Sequence, residues 1–369
     1  MPGRPTIAHI DLGALSHNLA EVRVRAGGRK VMAIVKANAY GHGSVETARR
    51  LEADGIDMLG VALVEEGAEL RDAGINTEIL VLGGIFEDQA DGLVKYKLTP
   101  AIYTAAQAES FSKAAAAAGI KMSVHVKVDT GMGRIGAQPA EAVKFVQEIA
   151  NLPGLRIEGL MTHLSDVSAR DKSFAEFQIS EFRWVIDRLK ATGVEPPHIH
   201  AAASAAVIDF GQSLFTMVRP GIMLYGCYPA GHMQGLVNLR PVMSLKTQVM
   251  HLKWVEKGKP ISYGRTFTTA RTSLIATLPI GYADGLSRAL SNIGNVLIRG
   301  KRCPIVGTVC MDMAMVDVTD LGDVAVHDEA VVIGRQGDQE ITADEVADRI
   351  GTISYEVLCG ISARVKREY

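Results

Sequence analysis

Between Val31 and Tyr225 the chain repeats one theme eight times, a short apolar run followed by a longer stretch of mixed polarity. The runs span residues 31–35, 58–63, 79–82, 98–103, 122–128, 157–164, 198–203 and 217–225. Many are rich in Val, Ile and Leu without polar alternation, as strands buried on both faces should be. The stretches between them read as helices, for example 140–150 and 174–189, and the alanine tract 114–118 fits helix because alanine has the best helix propensity. Buried strands alternating with helices allow a closed (β/α)8 TIM-type barrel or an open doubly wound sheet. Eight units favour the barrel.

After about Arg240 the texture changes. Strand-like pieces at 242–252, 273–278, 296–298, 305–309, 314–318 and 330–333 are separated by turn signals such as Asn292-Ile-Gly-Asn and Leu321-Gly-Asp. One helix is expected at 342–350, with Thr342 as N-cap and Glu345 three residues later. The reading is a barrel over 1–240 and a smaller, mainly β domain over 241–369, at the usual ~100–200 residues per domain. The 39 basic and 41 acidic side chains disfavour a polycation built for nucleic acid. No run approaches the ~18 apolar residues of a membrane span, and no signal peptide is seen. Cys227, Cys303, Cys310 and Cys359 form no C-x-x-C, so buried thiols in a reducing cytoplasm are expected.

A barrel enzyme builds its active site where strand C-terminal ends meet their loops. That rule selects Lys36 after the first strand, Lys127, Asp129 and Arg134 around the fifth, and His163 after the sixth. It adds His198, His200 and Ser204 at the seventh, and Arg219, Gly221 and Ile222 at the eighth. Lys36 reads either as a lysine snorkelling at the rim or as a Schiff-base lysine with a depressed pKa. Ser204 with the backbone of Gly221 and Ile222 reads as a phosphate cradle, although glycine after proline is also an ordinary turn. A reactive lysine beside a phosphate cradle points to pyridoxal 5'-phosphate. His198-Ile-His200 offers a rival metal reading, since i and i+2 share a strand face. Arg219, where a ligand carboxylate would be needed, weighs against it, and no metal is expected.

Several motifs in both domains resemble the alanine racemase family, over essentially the whole chain. They are Ala33-Ile-Val-Lys-Ala-Asn-Ala-Tyr-Gly-His42, Lys127-Val-Asp-Thr-Gly-Met-Gly-Arg134 and Met217-Val-Arg-Pro-Gly-Ile-Met-Leu-Tyr225. Ile261-Ser-Tyr-Gly264, Leu278-Pro-Ile-Gly-Tyr-Ala-Asp-Gly285, Cys310-Met-Asp312 and Tyr355-Glu-Val-Leu-Cys-Gly-Ile-Ser-Ala-Arg364 follow in order. The resemblance implies a homodimer with shared active sites that interconverts L- and D-alanine, the D-isomer feeding peptidoglycan. It implies pyridoxal phosphate bound covalently to Lys36, and two bases, Lys36 and Tyr263, the latter given by the partner subunit. Tyr40, His163, Ser204, Arg219, Gly221, Ile222 and Tyr355 are implied around the cofactor. Arg134 is implied at the substrate carboxylate, Met311, Asp312 and Tyr282 at the substrate entrance, and Lys127 as a carbamylated residue.

One departure is Ala203, where the family often carries asparagine before the serine. Competing readings are a broad-specificity racemase of the same architecture, a decarboxylase, and a non-catalytic pyridoxal-phosphate-binding protein. Arg219 argues against the decarboxylase, which would pair a carboxylate with the ring nitrogen. The second domain and Tyr263 argue for catalysis.

Overall fold

The computed structural model describes residues 4–369. All eight expected barrel strands form. In chain order they are Lys30–Ile34, Met58–Val61, Ile79–Val81, Thr99–Ile102, Met122–Lys127, Leu155–Met161, His198–His200 and Met217–Val218. Neighbours pair in parallel, and Met217–Val218 returns beside Lys30–Ile34. The last seam closes at a parallel bridge between Ala203 and Arg219, with the Arg219 N–H donating to Ala202 O at 2.8 Å.

The strands are short and almost wholly buried because side chains fill the barrel on one face and meet helices on the other. The helices have identifiable ends. Asp11 accepts from the Ala14 N–H at 2.9 Å to start Leu12–Ala26, and Gly27 ends it at φ 58°. The alanine tract lies in and just after Ala105–Ala117, which opens with a reciprocal Thr104–Gln107 capping box.

The second domain is mainly β. A larger sheet runs Lys301–Pro304, Asn295–Ile298, Glu329–Gln336, Met243–Gln248, Ile7–Ile10 and Lys366–Glu368, with Gln339–Ile341 beside Glu329–Gln336. A three-stranded sheet joins His251–Val255, Ser273–Leu278 and Ala314–Asp317. A small hairpin, Pro260–Ile261 with Phe267–Thr268, stands alone. Thr342 caps the helix Ala343–Ile350 as expected, accepting from the Glu345 N–H at 3.0 Å. A single apolar core runs from the barrel into the larger sheet, and a satellite cluster of Ile261, Ile275 and Val306 lies beneath the hairpin.

Three expectations change. Ile7–Ile10 does not join the barrel domain read over 1–240: it pairs with Met243–Gln248 and Lys366–Glu368, and two of its four side chains are buried in alternation. The run 242–252 is two strands, because Val249 still donates to Asp328 O while Met250 donates to Thr277 O, so the chain changes sheets between them. The strand expected at 305–309 falls instead at Lys301–Pro304. Beyond it Ile305 keeps an isolated bridge to Val316, and Gly307 turns away at φ 77°.

Candidate active site

The first barrel strand delivers Lys36 to the C-terminal mouth, and the chain then makes an unusual turn. Ala37, Asn38, Ala39 and Tyr40 all have φ of 52–53°, a full left-handed turn of non-glycine residues. Left-handed helix costs roughly 1–2 kcal/mol per L-residue, so something must hold it. Glu66 accepts from the Ala37 N–H and the Ala62 N–H, both at 2.7 Å, and Asn38 Oδ1 accepts from the Ser44 N–H at 2.8 Å. The buried His42 uses Nδ1 on the carbonyls of Ala39 and Tyr40, at 2.9 and 3.0 Å. Arg367 Nε donates to Gly41 O at 3.0 Å, tying the turn to the C-terminal strand. The turn presents Lys36 at its start and the Tyr40 ring at its end.

Burial, and then the nearby Arg134, hold the Lys36 pKa below the ordinary lysine value, with Glu66 pulling the other way. Lys127 is brought down to about 7 by burial and by Arg134, Arg219 and Lys36. Pairing with Asp129 does not rescue it. That carboxylate accepts from the backbone N–H groups of Gly131, Met132, Gly133 and Arg134 at 2.8–3.1 Å. Burial raises the Asp129 pKa, yet those four donors leave it below the usual range. The same bonds shape the loop that carries the exposed Arg134.

Tyr40 packs against Tyr225 and Tyr355, with ring centroids 4.9 and 5.9 Å away. Ser204 Oγ accepts from the Gly221 N–H at 2.9 Å and the Met223 N–H at 3.4 Å. Gly221 N–H is therefore engaged with Ser204. A Cβ on Gly221 would lie 2.6 Å from Tyr40 Oη, so only glycine lets the hydroxyl approach this backbone. Ala203 is the N-cap of Ser204–Asp209 and offers no side-chain cap bond, which is what the absent asparagine would supply.

Arg219 is buried and meets no carboxylate among the described residues. It donates to His200 O at 2.8 Å, Thr162 O at 2.7 Å, Ala201 O at 3.1 Å and His200 Nδ1 at 2.7 Å. Burial lowers it to about 10, still charged at neutral pH. Because arginine only donates, His200 Nδ1 accepts and its proton sits on Nε2. Nε2 then donates to His125 Nδ1 at 2.8 Å, which puts the His125 proton on its own Nε2, a buried atom without a partner. Burial, then the nearby His198 and Arg219, bring His125 to about 3, while burial and Arg219 hold His200 far below the usual value. The ring of His125 fits only because Gly159 lacks a Cβ, which would lie 2.3 Å from it. Both nitrogens of His200 are thus engaged, so His198 and His200 do not form a ligand pair. His163 is brought to about 3 by burial and Arg219, whose Nη2 lies 3.4 Å from its Nδ1.

Of the second-domain candidates, Tyr355 joins Tyr40, while Tyr263, Tyr282, Met311 and Asp312 are exposed on the surface. Tyr263 stands in the turn of the small hairpin and is 73% exposed, its carbonyl accepting from Thr308 Oγ1 at 2.9 Å. Tyr282 and Met311 are also exposed, on segments joined by Tyr282 N–H to Cys310 O and Ala283 N–H to Met311 O, each 3.0 Å. Asp312, expected at the substrate entrance, has its carboxylate paired with Arg364 at 2.8 Å.

A parallel barrel with a depressed lysine and a glycine-lined anion cradle at its mouth, followed by a β domain, defines a two-domain barrel enzyme of the pyridoxal phosphate class. Residues 10–229 match the profile "Alanine racemase, N-terminal domain", and residues 242–369 match "Alanine racemase, C-terminal domain". An alanine racemase of Halothermothrix orenii is 48% identical over 99% of this chain and 97% of its own length. The solved alanine racemase of Clostridium difficile superposes with a TM-score of 0.95 at 40% identity, covering 98% of this chain and 95% of that one. The Bacillus anthracis alanine racemase with bound L-Ala-P gives 0.93 at 36% identity, covering 100% and 95%. The chain belongs to the alanine racemase family, whose members are pyridoxal-phosphate-dependent isomerases.

The residues present fit that cofactor. The Gly221 backbone, open to Tyr40 Oη and Ser204 Oγ, forms the cradle a Cβ would fill, and Lys36 has the disfavoured charge that an amine nucleophile requires. The sequence reading singled out Lys36, Tyr40, Ser204, Arg219 and Gly221, which the fold gathers at this mouth. It did not single out Glu66, His125, Thr162 or Gly159. A polar His125 inside an apolar strand was the available signal.

Proposed function

We propose that this enzyme interconverts L- and D-alanine with two bases, Lys36 and Tyr263 of the partner subunit, supplying D-alanine for peptidoglycan. The observation that carries the reading is Lys36 at the barrel mouth, with its ammonium disfavoured by burial and Arg134, beside the Ser204–Gly221–Tyr40 cradle. Bound pyridoxal phosphate supplies the electron sink that acidifies the α-hydrogen of alanine. Its phosphate end would be held by Tyr40, Ser204, Gly221, Ile222 and Tyr355, and Arg219, a guanidinium still charged at neutral pH that can only donate, would keep the ring nitrogen unprotonated.

The neutral Lys36 amine takes a proton at Nζ from one face. The phenol of the partner's Tyr263 gives one at Oη on the other, and the roles reverse for the opposite isomer. Arg134 orients the substrate carboxylate. His163, with Nδ1 turned to Arg219, keeps its proton on Nε2 as a donor towards the phenol. The assembly is a homodimer, which agrees with the exposure of Tyr263, Tyr282 and Met311 on a single subunit. The reading places it in the cytoplasm, where family members supplying D-alanine to peptidoglycan would work; separately, among the described residues no helix is long and apolar enough to cross a membrane.

Lys127 belongs to this reading as a carbamate. At about 7 its amine is substantially neutral at physiological pH and attacks carbon dioxide, forming an N–C bond and releasing a proton. The resulting anion offsets Arg134, Arg219 and Lys36. A native intact mass without one added CO2 per subunit would argue against it.

The direct test is Lys36→Ala. It should abolish both the visible absorbance of bound cofactor and racemisation in either direction, read with a chiral assay. A variant that keeps both would overturn the proposal.

A further inference from the structure

The turn Tyr282–Asp284, which exposes Tyr282 and buries Asp284, and the segment 310–312 form one mechanical unit. Besides their two backbone bonds, Gly281 lets them touch: a Cβ there would lie 2.3 Å from both Cys310 O and Met311 O. The unit is held from below by Asp284, whose side chain is 0% exposed. Asp284 Oδ2 accepts from the Gly281 N–H at 3.0 Å, and its backbone carbonyl accepts from the Ser362 N–H at 3.2 Å. Both oxygens are gripped by Arg4 of the N-terminal segment, at 2.5 and 2.9 Å. Arg4 Nη2 also donates to Pro279 O at 2.7 Å, at the start of the same segment. Arg364 lies 3.6 Å from Asp284 and pairs with Asp312, so two arginines and two carboxylates bracket the unit.

The grip has a rigid root. Thr6 Oγ1 donates to Pro279 O at 2.8 Å and meets Thr247 Oγ1 at 2.9 Å, and Ile7–Ile10 enters the larger sheet directly afterwards. A bidentate arginine on a buried carboxylate is strong and directional. Removing it leaves Asp284 buried with only the half-exposed Arg364 nearby, so the turn must shift or admit water.

We infer that Arg4 is a positioning residue for substrate access: through Asp284 it sets where Tyr282 and Met311 stand, and so how wide the entrance to the partner's site is. The inference rests on the reading that Tyr282 and Met311 line that entrance. The side chain of Arg4 is spent on Asp284 and Pro279 O and bonds none of Lys36, Tyr40, Ser204 or Arg219, so its effect belongs in KM and side-chain selectivity rather than in the proton transfers.

The test uses the cofactor-loaded dimer and compares Arg4→Ala, Arg4→Lys and Tyr282→Ala for alanine and the bulkier serine. Arg4→Ala should raise KM for alanine by about fivefold or more, with kcat within about twofold, and should narrow the preference for alanine over serine. Cofactor absorbance should not change. Arg4→Lys keeps the charge but loses the fork, so it should fall between parent and alanine variant, and it serves if Arg4→Ala folds poorly. If Tyr282→Ala raises KM while both Arg4 variants change only melting temperature, the inference is overturned and the entrance reading stands. If Tyr282→Ala leaves both substrates' KM unchanged, the entrance reading fails and the inference with it.

Discussion

Three fully buried histidines, His42, His125 and His200, take part in the bonds that organise the site and are held neutral by their burial. Burial comes first in each case, lowering His42 to about 4 and His125 to about 3 from an ordinary 6.5, with His200 far below it. The sign follows from linkage. Below pH 6.5 the unfolded chain takes up protons that the native chain refuses, so stability is complete above that value and falls as pH falls towards 4 and 3. Each group contributes a slope of about 1.4 kcal/mol per pH unit at most. Denaturant midpoints should therefore drop steeply between about pH 6.5 and pH 4.5, and His42→Phe should flatten that drop. A midpoint constant across the window would contradict the assignment of these rings as neutral. The sequence made the chemistry-bearing residues legible because they sit in contiguous motifs at strand ends. The relay from Arg219 through His200 to His125 was not legible, because its members lie on three strands and meet only after the barrel closes.

At the scale of elements, the left-handed turn Ala37–Tyr40 is the most strained piece of backbone in the site. Ala37 tests that strain cleanly because its side chain is exposed and packs on nothing that a substitution would lose. Ala37→Gly removes a steric cost of roughly 1–2 kcal/mol and adds about 0.5–1 kcal/mol of unfolded-state entropy, for a net gain between zero and about 1.5 kcal/mol. Ala37→Val should lose about 2 kcal/mol, since a β-branched residue tolerates positive φ poorly. Thermal unfolding of the cofactor-free protein measures both, and a valine variant that melts with the parent would remove strain from the account. The turn was not legible in Ala-Asn-Ala-Tyr: Asn38 alone tolerates the left-handed region readily, while the two alanines favour an ordinary right-handed helix. The barrel strands were legible because burial on both faces writes an apolar run. The β domain was read less well: Pro260–Ile261, Phe267–Thr268 and Lys366–Glu368 are two or three residues long and largely half-exposed, so they write no period at all.

At the scale of the whole molecule, the two domains are joined at both chain ends. The N-terminal strand lies between Met243–Gln248 and the C-terminal strand, and Arg367 of that last strand reaches back to the turn after Lys36. One subunit therefore builds a cofactor mouth and fixes it to its own β domain, while Tyr263 points into solvent from a hairpin braced by Thr308 and Ile261. A two-fold dimer resolves that arrangement if each subunit gives its lysine to one site and its tyrosine to the other. Mixing inactive Lys36→Ala and Tyr263→Phe dimers under conditions of subunit exchange then has a definite outcome. Half of the dimers become hybrids at random exchange, and in each hybrid one site carries both intact residues and the other carries neither. Activity should recover to about a quarter of the parent value, with the cofactor absorbance following the Lys36-bearing subunit. If both bases came from the same subunit, every site in every hybrid would lack one of them, and mixing would restore nothing.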